Sequence, residues 1–255
     1  MPGRSESLKE AVEILAASRL LTVSTGAGMS KESGIPTFRD APNALWENFS
    51  PEQLATRAGF AEDPALVWRW YAERREMIAA AVPNAGHRAI ADLESLLDDV
   101  TVITQNIDNL HRRAGSTNIV EIHGNIFRFK CFDQNHPVDS VPENNGVPPT
   151  CHCGSFIRPD VVWFGEMLPD DAIENAYRVL AACDAILVVG TSGTVFPAAS
   201  FPDVARQSGA RIVEINPEET AVTPEADVFL RGAAGKILPE LVLSLKTQSD
   251  RGTNS

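Results

Sequence analysis

The sequence lacks several features that would place the protein at a membrane or on nucleic acid. No apolar run approaches the ~20 residues that a membrane span needs, and residues 1–15 lack the basic start, apolar core and small-residue cleavage site of a signal peptide. Basic residues are scarce, since 22 Lys and Arg stand against 34 Asp and Glu, which gives a net charge of −12. Phosphate backbones bind through Lys and Arg that displace counterions. We therefore expect a soluble, cytoplasmic protein with no direct nucleic-acid or membrane partner.

Cysteine is also scarce, and the 4 cysteines are unevenly placed. Cys131, Cys151 and Cys153 lie close together in the sequence, whereas Cys183 stands in an apolar stretch and is expected to be core packing. In an intracellular chain, a cluster of cysteines favours a metal site over a disulfide.

Short β-branched or aliphatic runs alternate with helical patterns along the chain. With 44% apolar residues the chain can bury a large core, and this alternation predicts an α/β fold with a doubly wound parallel sheet. Ligands bind such sheets beyond the carboxyl ends of the strands, so one crevice should collect residues from about 26, 105, 191 and 216. The strand patterns are residues 20–25, 100–104, 185–190 and 211–216, and the helical patterns are residues 8–18, 87–97, 171–183 and 197–208.

We predict one catalytic unit over residues 1–245 with two insertions. The segments of the Rossmann core are expected at about 8–50, 98–127 and 160–245, and a helical insertion at about 51–97. Residues 128–159 are rich in Pro, Asn, Asp and Cys and are expected to form a small cysteine-containing module. A loop of this length without regular structure is uncommon in a compact domain unless an added interaction stabilises it, and the cysteines are the candidates. Residues 246–255 are expected to be a disordered tail.

A glycine pair follows the first predicted strand. The N–H groups around Gly26, Ala27 and Gly28 lie where a helix start would approach a pyrophosphate. Lys31 occupies the place of the third glycine of the usual dinucleotide fingerprint, so a purely structural glycine turn is the alternative.

Six motifs in order resemble those of the sirtuin family. They are GAGMSKESGIPTFRD from residue 26, TQNIDNLH from 104, HGN from 123, VVWFGE from 161, GTS from 190 and INPE from 215, and the resemblance spans residues 20–241. It implies a Rossmann-type domain with a small zinc module, NAD as co-substrate, and removal of acyl groups from protein lysines.

The resemblance also implies a nucleotide site made of three groups of residues. The residues of the phosphate part are Gly26, Ala27, Gly28, Ser30, Phe38 and Arg39, and Trp46 is also assigned to the site. The residues of the nicotinamide part are Gln105, Asn106, Ile107 and Asp108. The residues of the adenosine part are Gly190, Thr191, Ser192, Asn216, Pro217, Glu218 and Ala234. For Asn106 and Asp108 the alternative is a helix cap.

His123 ends the predicted strand 119–124, and its near-neutral pKa suits a general base. The resemblance implies that His123 and Asn106 are catalytic. The acyl oxygen attacks the ribose carbon as nicotinamide leaves, and His123 then helps to deprotonate a ribose hydroxyl. This mechanism needs no enzyme nucleophile, in keeping with the absence of a nucleophile elbow or an HExxH motif.

Two apolar segments, residues 162–165 and 193–196, correspond in the family to strands that bind acyl-lysine proteins by strand addition. Val162 and Phe164 are assigned to substrate, with Phe164 walling the acyl-lysine channel. Core packing is the alternative for Val162.

The metal site departs from the family's two CxxC pairs. The first pair reads Cys131 to Gln134, and glutamine is a poor zinc ligand, while the second is the tighter Cys151 and Cys153. Either His136 or His152 would complete a tetrahedral zinc site with the three cysteines. The alternative is a vestigial module that holds without metal.

Tyr71 and Arg74 are three residues apart on a predicted helix begun by Asp63 and Pro64, so both point from one face. This spacing resembles the class III branch of the family, which favours succinyl, malonyl or glutaryl lysine, and Ala41 matches a small residue that widens the pocket. The alternative is a solvated helix face.

The rival functions are a deacetylase without acidic-acyl preference, a mono-ADP-ribosyltransferase, an NAD-dependent dehydrogenase and a non-enzymatic NAD sensor. The sequence favours the deacylase, because His123, the 105–108 loop and the substrate segments occur together. The Tyr71 and Arg74 spacing adds the expectation of a desuccinylase or demalonylase with weaker action on acetyl-lysine. It makes no prediction of oligomeric state.

Overall fold

The computed structural model describes residues 3–36, 50–141 and 147–252. Phe38, Arg39, Ala41 and Trp46, to which the sequence assigns site roles, lie outside these residues. The helices are α1 (Arg4–Ala17), α2 (Pro51–Leu54), α3 (Arg57–Glu62), α4 (Pro64–Ala80), α5 (Ala85–Leu93), α6 (Leu110–Ala114), α7 (Asp170–Leu180), α8 (Phe201–Gln207) and α9 (Ala234–Gly252). The strands are β1 (Leu20–Thr25), β2 (Asp99–Thr104), β3 (Ile119–Glu121), β4 (Gly124–Cys131), β5 (Pro137–Val138), β6 (Ile157–Val161), β7 (Ala185–Val189), β8 (Arg211–Asn216) and β9 (Val228–Arg231).

Six strands form one parallel sheet in the order β3-β2-β1-β7-β8-β9. This is the doubly wound order in which the chain starts in the middle and reverses direction between β1 and β7. The strands predicted at 20–25 and 211–216 match β1 and β8, and β9 was not predicted. The doubly wound fold class is therefore confirmed.

Helices cover both faces of the sheet, because alternate strand residues are apolar on each side. α1, α5 and α9 pack on one face, where Val23, Val102 and Leu187 are fully buried. α7 and α8 pack on the other, against Ile186 and Ile212. The prediction that the helical insertion runs to residue 97 is wrong in its last part, since Ala89, Ile90 and Leu93 of α5 belong to the core of the sheet.

A second unit lies beyond the carboxyl ends of the strands. Its small antiparallel sheet has the order β5-β4-β6. α2, α3 and α4 contribute Leu54, Phe60 and Val67 to an apolar cluster that includes Ile126 of this sheet, and Trp68 of α4 packs with Cys131. The helical and cysteine-containing insertions therefore share apolar contacts with each other.

The chain end corrects another expectation. α9 continues to Gly252, so the prediction of a disordered tail from residue 246 is wrong for residues 246–252. Lys246 Nζ lies 2.9 Å from an Asp92 carboxylate oxygen, which ties this turn to the end of α5. Within the described ranges, no helix is both long and apolar enough to cross a membrane.

Candidate active site

The loops that follow four parallel strands meet at the switch point of the sheet. Gly28 N–H donates to Gly190 O at 2.8 Å, Gln105 Nε2 donates to Thr191 Oγ1 at 3.1 Å, and Asn216 Nδ2 donates to Thr191 O at 2.6 Å. The predicted gathering of residues near 26, 105, 191 and 216 is confirmed, and it forms the crevice where a doubly wound sheet binds its ligand.

The glycines of the first loop are required by close packing. A Cβ at Gly26 or Gly28 would lie 2.9 or 2.8 Å from Gly190 O. The N–H groups of both glycines already donate, to Val189 O and Gly190 O. The idea that these two N–H groups point at a pyrophosphate is therefore wrong in this structure, and their contribution is to let the two loops touch.

Asn106, Ser30 and Asp108 form a buried polar cluster behind the first loop. Asn106 Nδ2 donates to Gly26 O at 3.0 Å and to Ser30 Oγ at 3.2 Å. Ser30 Oγ donates to Asp108 Oδ2 at 2.6 Å, and Leu110 N–H donates to Asp108 Oδ1 at 2.9 Å. One Asp108 oxygen thus accepts from the first N–H of α6, although the N-cap residue of that helix is Asn109, while the other oxygen faces the loop. Burial raises the pKa of this carboxyl group.

His123 lies in the turn between β3 and β4, so the prediction that it ends a strand is corrected by two residues. Its Nδ1 is 3.0 Å from Gln105 O. A carbonyl oxygen only accepts, so Nδ1 carries the hydrogen and Nε2 keeps its lone pair. Burial lowers the pKa of His123. The imidazole is therefore neutral near pH 7, which is the form that a general base requires.

An apolar edge lies next to His123. Val162 N–H donates to His123 O at 3.0 Å and Phe164 N–H donates to Ala55 O at 2.8 Å, beyond the end of β6 at Val161, and the chain turns at Gly165, whose φ is 81°. Phe164 is 60% exposed and Phe196 is 77% exposed. Both residues therefore present apolar surface that the described part of the chain does not cover.

Tyr71 and Arg74 lie one turn apart on α4, which Asp63 caps through Leu66 N–H and which begins at Pro64, as predicted. Tyr71 is 4% exposed, and burial raises the pKa of its hydroxyl to about 12. Arg74 is half-buried, and burial lowers the pKa of its guanidinium. It stacks 5.3 Å from the Trp70 ring centroid and makes no hydrogen bond or salt bridge with another described residue.

The sequence analysis missed the buried group that holds residues 162–166 in place. Arg158, fully buried, donates to both Glu166 carboxylate oxygens, at 2.6 and 2.9 Å. The same carboxylate accepts from Trp163 N–H at 2.9 Å, and Arg57 Nη1 lies 3.4 Å from it. Although burial alone would raise the pKa of Glu166, the Arg158 guanidinium lowers it. The glutamate in VVWFGE was the available signal for this ion pair.

The predicted metal ligands come together, and the structure selects His136 over His152 as the fourth. The ligand atoms of Cys131, His136, Cys151 and Cys153 all lie within 4.8 Å of one another. Zinc bonds of about 2.3 Å to sulfur in a tetrahedron place two sulfurs about 3.8 Å apart, and the Cys131 and Cys153 sulfurs are 3.4 Å apart. Gln134 is exposed, and its backbone N–H lies 3.4 Å from the Cys131 sulfur.

Two further histidines, which the sequence analysis did not single out, lie buried beneath the crevice. His87 and His111 stack edge to face with ring centroids 4.9 Å apart. His111 Nε2 is 3.0 Å from Thr25 Oγ1, and the Nδ1 atoms of both rings have no partner among the described residues. Burial lowers the pKa of His87 to about 3 and that of His111 to about 4.

The remaining predicted residues differ in their exposure. Ile107 is partly buried against α4, Pro217 and Glu218 are exposed just after β8, and Ala234 begins α9. Ser192 Oγ is 2.8 Å from Thr194 Oγ1. Cys183 is buried, which confirms its prediction as core packing.

Comparison with known proteins gives consistent results. The sequence model described as Sir2 family matches residues 26–197. The chain is 52% identical over 241 residues to NAD-dependent protein deacylase 2 of Pyrobaculum aerophilum, covering 92% of this chain and 94% of that protein. A Sir2 homologue in complex with NAD has 46% identity and a TM-score of 0.87, with 94% of each chain covered. A Sir2 protein bound to a myristoylated histone peptide has 36% identity and a TM-score of 0.77, covering 97% of this chain and 99% of that one.

Proposed function

The chain belongs to the Sir2 family and is an NAD-dependent protein deacylase of that family, and we propose that its preferred acyl groups end in a carboxylate, such as succinyl or malonyl. The observation that carries the acyl preference is the pair Tyr71 and Arg74. The pair presents a phenol O–H and a guanidinium with no described salt-bridge partner, a donor set that matches a carboxylate and offers nothing to a methyl group.

The fold alone does not choose the acyl group. A protein that superposes on this chain with a TM-score of 0.77 binds a myristoylated peptide, whose acyl chain is long and apolar. The choice must therefore depend on individual side chains lining the acyl channel. A half-buried cation in such a channel disfavours an apolar chain, because its charge would lose water without gaining a partner.

The remaining site residues are assigned as follows. NAD, when bound, supplies the ribose carbon to which the acyl oxygen is transferred as nicotinamide leaves. Asn106, fixed by Gly26 O and Ser30, orients the nicotinamide end of the pocket. His123 accepts the proton of a ribose hydroxyl at Nε2, because Nδ1 is held as a donor by Gln105 O. We extend this assignment to the predicted nucleotide contacts around Thr191, Ser192 and Asn216.

The partner in this reaction is an acylated lysine of another protein. The exposed Phe164 and Phe196 flank the space in which an extended peptide would add to residues 162–165 and 193–196. Backbone pairing of this kind gives affinity without demanding one peptide sequence.

We also propose one structural zinc ion, bound by Cys131, His136, Cys151 and Cys153. Three thiolates and one imidazole are a regular tetrahedral donor set for zinc, and the distances between the ligand atoms fit it. The site lies at the far end of β4 from the catalytic turn at His123, so the metal stabilises the module and takes no part in the chemistry.

One assay tests the acyl preference. The protein is incubated with NAD and a single peptide sequence carrying succinyl, malonyl, glutaryl, acetyl or myristoyl lysine, and free lysine peptide and nicotinamide are quantified. We expect the acid-ended groups to be removed with the highest kcat/KM. Faster removal of acetyl or myristoyl would overturn the preference. NADH formation would indicate a dehydrogenase, ADP-ribose retained on protein would indicate a transferase, and no nicotinamide at all would indicate a sensor.

A further inference from the structure

The hydroxyl of Tyr71 has a fixed hydrogen-bonding role in this structure. Trp163 Nε1 lies 2.9 Å from Tyr71 Oη. An indole nitrogen can only donate, so the tyrosine oxygen is the acceptor and its own hydrogen must point elsewhere. Among residues 3–36, 50–141 and 147–252, no acceptor for that hydrogen is found. Burial keeps the hydroxyl protonated by raising its pKa to about 12, so it remains a donor at neutral pH.

The indole that fixes this hydroxyl is itself held on several sides. Trp163 is 2% exposed, and the Arg158 guanidinium carbon lies 3.3 Å from the centroid of its ring. Phe60 packs against it at 5.3 Å between ring centroids. The Trp163 backbone N–H donates to Glu166, and Arg158 donates two hydrogen bonds to the same carboxylate. These contacts fix the indole so that its N–H points at Tyr71.

We propose that Trp163 is a positioning residue that sets selectivity for acid-ended acyl groups, by occupying Tyr71 as an acceptor so that the tyrosine O–H is presented to the acyl carboxylate beside Arg74. This inference rests on the proposed function. In the absence of the indole donor, the hydroxyl hydrogen gains other orientations, and binding the carboxylate then requires ordering it. Acetyl-lysine has no carboxylate, so its removal should not depend on this orientation.

The test is Trp163→Phe, which keeps one aromatic ring but removes the N–H donor together with the second ring of the indole. We expect kcat/KM for a succinyl peptide to fall about three- to tenfold, the range for one uncharged hydrogen bond, mainly through KM. Any loss of peptide binding through residues 162–165 lowers removal of succinyl and acetyl equally, so the readout is the ratio of succinyl to acetyl kcat/KM, which should fall by the same factor of about three to ten. Trp68→Phe is the control for loss of a buried indole, because Trp68 lies on the same helix as Tyr71 and packs against Phe129.

A double-mutant cycle separates positioning from packing. In a Tyr71→Phe background, Trp163→Phe should cause no further succinyl-specific loss, because the hydroxyl that it orients is gone. If Trp163→Phe does not fold, 3-benzothienylalanine at position 163 keeps the shape of the indole and replaces its N–H by sulfur.

The outcomes distinguish failure of the proposed acyl preference from failure of the positioning role of Trp163. Wild-type preference for acetyl would overturn the proposed function and this inference together. Wild-type preference for succinyl, with Trp163→Phe losing both activities equally or neither, would overturn this inference alone. A succinyl-specific loss that persists undiminished in the Tyr71→Phe background would also overturn it.

Discussion

Replacing Arg74 by methionine should convert the selectivity of the acyl pocket while leaving the fold intact. The guanidinium makes no described hydrogen bond or salt bridge, and a methionine keeps an unbranched apolar stem against Trp70. The free energy of unfolding should therefore change by no more than about 0.5 kcal/mol. A charge-assisted hydrogen bond contributes roughly 1.5–3 kcal/mol, so kcat/KM for succinyl peptides should fall by about 10- to 150-fold.

Deacetylation should respond in the opposite sense or hardly at all. In the wild-type pocket an acetyl group leaves the half-buried Arg74 cation without a partner, which penalises the smaller acyl group. Removing the cation relieves that penalty. Arg69→Met is the matched control, because Arg69 is an exposed arginine of the same helix and its loss changes the net charge equally.

One side effect of the substitution must be separated from the loss of the ligand contact. The charge of Arg74 lowers the pKa of the buried Asp108, which burial otherwise raises, so Arg74→Met should raise that pKa further. A consequence of this kind would reduce removal of both acyl groups together, and more so at lower pH. The ratio of succinyl to acetyl kcat/KM, measured at two pH values, isolates the carboxylate contact. If the ratio is unchanged, the reasoning about Arg74 is refuted.

Three further predictions follow from the site and its surroundings. His123→Ala should lower NAD-dependent deacylation by about 10²- to 10⁴-fold while NAD binding, measured by calorimetry, persists; near wild-type turnover would contradict this role. Elemental analysis should find one zinc per chain, lost in His136→Ala and Cys153→Ser but kept in Gln134→Ala, because Gln134 is exposed and glutamine is a poor zinc ligand. Because burial lowers the pKa values of His87 and His111, the unfolded chain binds more protons than the folded chain below pH 6.5. The free energy of unfolding should therefore fall by about 2 kcal/mol between pH 6.5 and 5.5. In His111→Gln it should fall by about half as much.

The parts of the fold that the sequence predicted well are those with strong local periodicity. β1 and β8 are buried runs bounded by polar residues, and the Asp63 and Pro64 pair begins α4 as its capping chemistry requires. The carboxyl ends of parallel strands meet at one edge, so the gathering of the crevice loops followed from the topology alone.

The predictions that were wrong concern features that depend on contacts between distant parts of the chain. The helical pattern before residue 97 does not show that α5 packs on α9, because only the tertiary core separates a sheet helix from an insertion helix. Gly26 and Gly28 match a phosphate-binding pattern, yet their N–H groups donate to the neighbouring loop. Likewise, spacing alone left His136 and His152 equivalent as metal ligands, and the folded side chains distinguish them, since the His136 ring lies within the four-residue cluster with its Nε2 3.1 Å from the Cys151 sulfur.

The acyl pocket depends on contacts that join three separate parts of the chain. Arg158, on β6 of the cysteine-containing module, stacks under Trp163 and binds Glu166, while Arg57 of α3 reaches both Glu166 and Phe132 O. Trp163 in turn contacts Tyr71 on α4. The metal cluster fixes the same module on which Arg158 lies, so losing zinc should loosen Trp163 before it disturbs loops that are hydrogen-bonded within the large sheet. Chelation of the metal should therefore reduce the preference for succinyl over acetyl at NAD concentrations where nucleotide binding is still intact. A preference that survives complete metal loss would show that α4 and its neighbouring helices hold Tyr71 without the cysteine-containing module.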